Sequence, residues 1–421
     1  MKKFLIQNVR IVDAERDEVG SVLIEAGKIS EINSEKNLNP GSASKLDSLE
    51  PGFEFEKIDG TGKILMPGLF DPHVHFRDPG LTTKEDFLTG TSAAVAGGVT
   101  TVFDMPNTIP PATTVAILDE KKNILSKKAL CNFGLFIAAG KNNIDELKKA
   151  ENVAGIKLFL NHTTGDLKVE DTDLWRAVFN VGKRVVMHAE GKTFVQAVDI
   201  WLDEGAPCQL HLCHAGLKIE IEKVEDVRAN YPEFANKIFV EVTPHHLLLT
   251  EKDVDTYGNI AKMLPPLASK EDQTALWKAV ENEEIDFFGT DHAPHTLKDK
   301  DAGAFGIPGI ETYFPLLFTE FVKRGWDLRK FAKMTSLNTA DIFGIDNKGL
   351  IEEGYDADLI LIDPEFKGKV EPEKFMSKAK WSPFEGMMIK GQIEKTFVGG
   401  SLVFSGGKIV NENICGKEVQ F

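Results

Sequence analysis

Between about residue 67 and residue 296, short and nearly continuous apolar runs alternate with longer amphipathic stretches. That alternation limits the possible folds more than any other feature of the chain. The runs lie at 69–76, 100–105, 133–138, 155–160, 184–188, 209–214, 238–242 and 286–290. Apolar character on both faces suits parallel strands covered by helices, because an antiparallel sheet with one wet face would alternate polar and apolar residues. Segments 84–96, 115–128, 173–181, 193–202 and 271–283 carry apolar residues three and four apart and read as helices. Eight such strands alternating with helices imply an α/β fold, the (β/α)8 TIM barrel.

The two ends follow a different period. Segments 4–13 and 21–32 alternate in period two around Ala26-Gly27-Lys28. Similar runs recur at 357–362 and 395–410, the latter broken by Gly399-Gly400 and Gly406-Gly407. The expectation is one small β-sandwich domain built from residues 1–66 and 346–421, beside a catalytic barrel at 67–345. Residues 33–53, rich in Ser, Asn, Gly and Glu, read as a loop. With 42% hydrophobic and 27% charged residues the chain has the balance of a globular protein. A formal net charge of −16 opposes nonspecific nucleic-acid binding, which needs clustered Lys and Arg. No run approaches the roughly 18 apolar residues of a membrane span, and the start breaks at Gln7, too early for a signal peptide. Cys131, Cys208, Cys213 and Cys415 lack disulfide-framework spacing, so a reducing, cytoplasmic setting is expected.

Barrel enzymes carry their chemistry where strands end. The segment Asp71-Pro72-His73-Val74-His75-Phe76-Arg77-Asp78-Pro79-Gly80 closes the first run. Alternate strand residues share a face about 6 to 7 Å apart, so His73 and His75 can converge on one divalent cation, with Arg77 pointing the same way. Taken alone, a His-x-His pair serves equally well as two structural histidines. The other runs add His188, His214 and Asp291 at their ends, which makes five ligands suited to two zinc ions sharing a bridge. One bridging anion is missing, and Asn161 stands where an aspartate could have supplied it. Lys157, inside an apolar run, is costly to bury as a cation. It is either a snorkelling side chain or, converted by carbon dioxide to a carbamate, the missing bridge.

Several motifs then agree. Asp71 to Gly80, Asp104-Met105-Pro106-Asn107-Thr108, Lys157-Leu158-Phe159-Leu160-Asn161, Glu241-Val242-Thr243-Pro244-His245-His246 and Asp291-His292-Ala293-Pro294-His295 together resemble the dihydroorotases of the amidohydrolase superfamily, over nearly the whole chain. The resemblance is to the branch with a carboxylated bridging lysine. It implies that His73, His75 and Asp291 hold one zinc, that His188 and His214 hold the other, and that Lys157 bridges. It further implies that His75, Arg77, Asn107 and His295 meet the substrate, with the backbone of Phe305-Gly306 against the pyrimidine ring. The implied reaction is the reversible closure of N-carbamoyl-L-aspartate to dihydroorotate with loss of water, in pyrimidine biosynthesis. The resemblance also implies that a hydroxide between the metals attacks the ring carbonyl in the hydrolytic direction, with Asp291 as general acid and base. The implied partners are the small-molecule substrate and either a second copy of the chain or an aspartate transcarbamoylase.

One position departs from this pattern. Leu264 precedes Pro265-Pro266, where many relatives carry a substrate-contacting Asn. Allantoinase and dihydropyrimidinase share the implied barrel and metals but act on rings without a carboxylate, so Arg77 and His295 are what separate the readings. A noncatalytic scaffold would typically have lost several ligands, and here the set is full. His162, His211, His245, His246 and His292 are therefore expected to support the ligands or the fold. Cys213 should face away from the metals by strand alternation. Thr163, Thr164 and Gly165 form either a loop closing over substrate or an ordinary turn.

Overall fold

The structure is a computed structural model that describes residues 2–34, 55–162, 167–413 and 416–421. The strands of the chain ends are β1 (Phe4–Val12), β2 (Asp17–Glu25), β3 (Lys28–Ser34), β4 (Glu56–Asp59) and β5 (Ile64–Pro67), then β14 (Leu359–Lys369), β15 (Met388–Val398), β16 (Ser401–Ser405) and β17 (Lys408–Ile409). Between them run β6 (Leu69–Val74), β7 (Val99–Asp104), β8 (Asn132–Ala138), β9 (Gly155–Phe159), β10 (Val185–His188), β11 (Leu210–Leu212), β12 (Ile238–Val242) and β13 (Phe287–Phe288).

Strands β6 to β13 pair in chain order, all parallel, and form the expected barrel. The ring closes through His292: Val74 bridges it, and the His75 N–H donates to its carbonyl at 2.8 Å. Closure therefore sets the first run beside the last, although they lie more than two hundred residues apart in the chain. Six strands send Phe70, Phe103, Phe136, Val186, Phe239 and Phe287 into a common cluster inside the barrel, joined by Cys213 just past the end of β11. Phe343 caps it, 4.7 Å from Phe103 between ring centroids. The barrel interior is thus a packed core, and a cleft lies at the carboxyl ends of its strands.

The end strands form one nine-stranded sheet in the order β17-β16-β15-β14-β5-β1-β2-β3, with β4 on β1. The two chain ends meet where β14 runs antiparallel to β5, Leu359 opposite Pro67. Period two assigns the faces: Leu359 and Leu361 join Phe4, Ile6 and Ile11 in the sheet's own core, whereas Ile360 and Ile362 pack into the barrel's main core. Ala26 and Gly27 both take positive φ, 52° and 86°, in the two-residue turn that joins β2 to β3. Asn33 and Ser34 finish β3, and the rest of the expected 33–53 loop lies outside the described residues, as do Thr163, Thr164 and Gly165.

Three barrel strands end two residues before the apolar runs that mark them do, and each stops short of a candidate site residue. Strand β6 ends at Val74, β11 at Leu212 and β13 at Phe288. Arg77, His214 and Asp291 then adopt positive φ of 64°, 40° and 47°. Side chains disfavour this region, by about 1–2 kcal/mol per residue, and its use here turns polar groups off the strand ends into the mouth.

Candidate active site

His73 and His75 leave β6 on one face, with Val74 between them buried in the main core. Each ring is held through Nδ1. That of His73 lies 2.7 Å from Glu241 Oε1, and that of His75 lies 2.6 Å from Asn107 Oδ1. The Nε2 atoms are thereby presented to Asp291 Oδ1, at 3.4 Å from His73 and 2.9 Å from His75. One ligand atom from each of the three residues falls within 4.8 Å of the others, and all three residues are buried.

His188 and His214 form a second group beside the first. His188 Nδ1 is 2.9 Å from His214 Nε2, and the His214 ring is centred 5.1 Å from that of His73. Lys157, 1% exposed on β9, lines the same cleft as these four histidines and Asp291. Burial first, then the charge of Glu241 and Lys157, sets the His73 imidazole, whose pKa falls to about 4. Burial and the neighbouring rings hold His214 well below the usual imidazole range. Both rings are thus neutral near pH 7, the form that donates a lone pair.

Cys213 does not face away from this group. Its Sγ lies 2.9 Å from Lys157 Nζ, and Sγ shares a neighbourhood with His73 and Glu241 atoms. The alternation argument fails because β11 ends at Leu212. His211 and Cys213 keep the inward face, and the positive φ of His214 turns the next side chain to the mouth as well.

On the other side of the cleft stand Arg77, Asn107, Leu264, Phe305 and Gly306. Arg77 is 3% exposed, and its Nε donates to Pro294 O at 3.3 Å. Among the described residues no carboxylate lies within 4 Å of its guanidinium, and burial pulls its pKa down to about 10. His295 stands behind Arg77, Nε2 at 3.2 Å from the guanidinium and 2.8 Å from Phe305 O. Burial and then Arg77 hold its pKa at about 3. At Gly306, φ is 118° and a Cβ would sit 2.7 Å from that of Ala293, so only glycine fits the wall.

A model of the amidohydrolase family matches residues 64–403. The chain belongs to that family. It is 38% identical over 368 residues to a dihydroorotase of Pyrococcus horikoshii, covering 83% of each chain. It is 33% identical over 440 residues to a dihydroorotase of Methanosphaera stadtmanae, covering 96% of each. Among solved structures it superposes on the L-hydantoinase (dihydropyrimidinase) of Arthrobacter aurescens with a TM-score of 0.90, at 26% identity and over the full length of both chains.

Amidohydrolases are metal-dependent, and the residues present fit that requirement. Neutral imidazoles, a carboxylate and a buried His214 Nδ1 that has no partner among the described residues make a donor set suited to a metal. Glu241 is the supporting residue that motif reading passed over. Its Oε1 accepts from the His214 N–H at 3.0 Å as well as facing His73, and its Oε2 faces His211 Nε2 at 3.1 Å. The signal was a lone acid inside the apolar run Ile238-Phe239-Val240-Glu241-Val242. Asp71 accepts from the Thr290 N–H and hydroxyl, fixing β6 to the segment that carries Asp291. Asn161 Oδ1 accepts from the Glu190 N–H at 2.9 Å, which pins the loop after His188. His246 Nδ1 faces Thr243 Oγ1 at 2.8 Å, and His292 Nδ1 accepts from the Gly309 N–H at 3.1 Å. Both rings are thus engaged by neighbouring loops of the cleft.

Proposed function

We propose that the chain is a dihydroorotase that interconverts N-carbamoyl-L-aspartate and dihydroorotate in pyrimidine biosynthesis, with residues 67–345 as its catalytic unit. The identity with curated dihydroorotases over most of the chain supports this reading. The observation that carries it is Arg77: a buried guanidinium at the cleft with no carboxylate within 4 Å among the described residues. A buried cation left unpaired is costly, and a substrate carboxylate would supply the partner. The rings hydrolysed by dihydropyrimidinases have no such group.

His73, His75 and Asp291 would hold one zinc ion and His188 and His214 a second, with Lys157 as an N6-carbamate between them. Bound zinc would supply Lewis acidity at the ring carbonyl and bring the pKa of water to about 7. The carbamate reading removes a cation from the midst of the ligands, where an ammonium would repel a metal. Asn107 orients His75 and presents its amide to the cleft, while Arg77 grips the carboxylate and so sets the ring's rotation. Burial would raise the Asp291 carboxyl, but His73 and His75 outweigh it and hold Asp291 ionised. Asp291 can therefore take the proton of the attacking water and return it to the leaving ring nitrogen. In the reverse direction the same group protonates the departing oxygen.

The test is to give zinc-loaded protein N-carbamoyl-L-aspartate at mildly acidic pH and dihydroorotate at alkaline pH, and to follow each by chromatography. Interconversion in both directions is expected; a protein with two bound metals that turns over neither compound would overturn the assignment.

A further inference from the structure

Lys300 is 0% exposed, yet it faces no carboxylate among the described residues within 4 Å. Its Nζ donates to three main-chain carbonyls, those of Lys262 at 2.8 Å, Ala304 at 2.8 Å and Gly306 at 2.9 Å. Three hydrogens on an ammonium meet three acceptors. Two of those carbonyls flank Phe305, and the third lies two residues before Leu264; Phe305, Gly306 and Leu264 all line the cleft. The ammonium also stands 5.4 Å from the centroid of Trp381, whose Nε1 donates to the carbonyl of His295 at 2.8 Å. One cation thus ties two loops of the cleft wall to the segment after β14 that holds His295. None of these contacts touches a candidate metal ligand.

We propose that Lys300, as an ammonium, is a positioning residue that sets the wall formed by Leu264 and Phe305–Gly306 at the spacing that binds the substrate ring. The proposal takes the substrate from the dihydroorotase reading but concerns the wall, which any cyclic substrate of this cleft would meet. A neutral amine has only two hydrogens, so deprotonation frees one of the three carbonyls and loosens one loop. Burial pushes the Lys300 pKa down to about 7, and Lys262 pushes the same way. The other groups around it do not oppose this. His295 is held neutral, Asp299 is turned to Lys84 and the Thr296 N–H, Lys380 donates to the carbonyl of Phe375, and the 304–306 loop has no titratable side chain.

The experiment measures KM and kcat of metal-loaded wild type, Lys300→Met and Lys300→Arg between pH 6.5 and 8.5. Lys300→Met is expected to raise KM at least about tenfold, with kcat within about threefold and metal content unchanged, since the loops that carry Leu264 and Phe305 lose the group that joins them. KM of wild type should climb across this range, whereas in Lys300→Arg, whose charge persists, it should stay flat. If Lys300→Met does not fold, the contrast between the two pH profiles decides. An unchanged KM in Lys300→Met, or parallel profiles for wild type and Lys300→Arg, would overturn the proposal. A wild type inactive on dihydroorotate but active on dihydrouracil or hydantoin would overturn the functional reading instead, and the same split would then be read on that substrate.

Discussion

Glu241 faces His73 at 2.7 Å, carboxylate to Nδ1, in a site where neither side chain is more than 1% exposed. The same oxygen accepts the His214 N–H, so a single carboxylate aligns residues of both histidine groups. Burial alone would push the Glu241 carboxyl up; His73 and His211 reverse this and keep it below the usual carboxylate range. A glutamine can retain the contacts but not the charge. Glu241→Gln should therefore keep the fold by circular dichroism and weaken metal binding about 10- to 100-fold, as loss of an outer partner of a metal-bound histidine does. Titration against a chromophoric chelator measures this, and undiminished affinity would remove Glu241 from the account.

Arg77→Met tests the carboxylate grip. Losing a buried charge-assisted pair costs about 1.5–3 kcal/mol, so KM for dihydroorotate should rise about 10- to 100-fold. Hydrolysis of dihydrouracil should not suffer the same loss, because that ring has no carboxylate for Arg77 to meet. Equal losses on both substrates would show that Arg77 supports the fold rather than recognition.

Leu264 is an apolar side chain on the cleft wall, beside Phe305 and Gly306. Leu264→Asn restores a donor and an acceptor at the mouth. One added hydrogen bond is worth about 0.5–1.5 kcal/mol, so KM should fall about 2- to 10-fold without a change in metal content. A rise in KM would mean that the leucine packs against the ring instead.

His246 carries a pH dependence whose sign follows from its contacts. Nδ1 meets the Thr243 hydroxyl and Nε2 lies 3.3 Å from Pro265 O, and burial lowers the pKa to about 4. Below about pH 6.5 the unfolded chain takes up a proton that the folded chain refuses until about pH 4. His246 therefore costs stability as pH falls through that window, by about 1.4 kcal/mol per pH unit, and costs nothing above it. In metal-free protein, the gap in melting temperature between wild type and His246→Gln should narrow from pH 6.5 to pH 4.5. A gap that stays constant or widens would contradict this.

Strand positions, and which polar residues gather at the strand ends, were legible because periodicity and motif are both local. Segment 238–242 matches β12 residue for residue, and His73, His75, His188, His214 and Asp291 line one cleft with Lys157. What was not legible depends on backbone turns and long-range packing. The inward course of Cys213 follows from a three-residue strand and one positive φ, neither of which apolar character encodes. His295 could be named from a motif, but not its place behind Arg77 or its tie to Trp381, 86 residues later. Glu241 looked like one more residue of a family phrase until two histidines were seen to share it.

The most direct test of the whole account is the specificity of the zinc-loaded wild-type protein, measured as kcat/KM for dihydroorotate, allantoin, dihydrouracil and hydantoin under one buffer condition. The guanidinium of Arg77, without a carboxylate within 4 Å among the described residues, predicts that dihydroorotate exceeds each of the others by at least about 100-fold, the factor that about 3 kcal/mol of charge pairing supplies. A preference for any of the three rings without a carboxylate would contradict it.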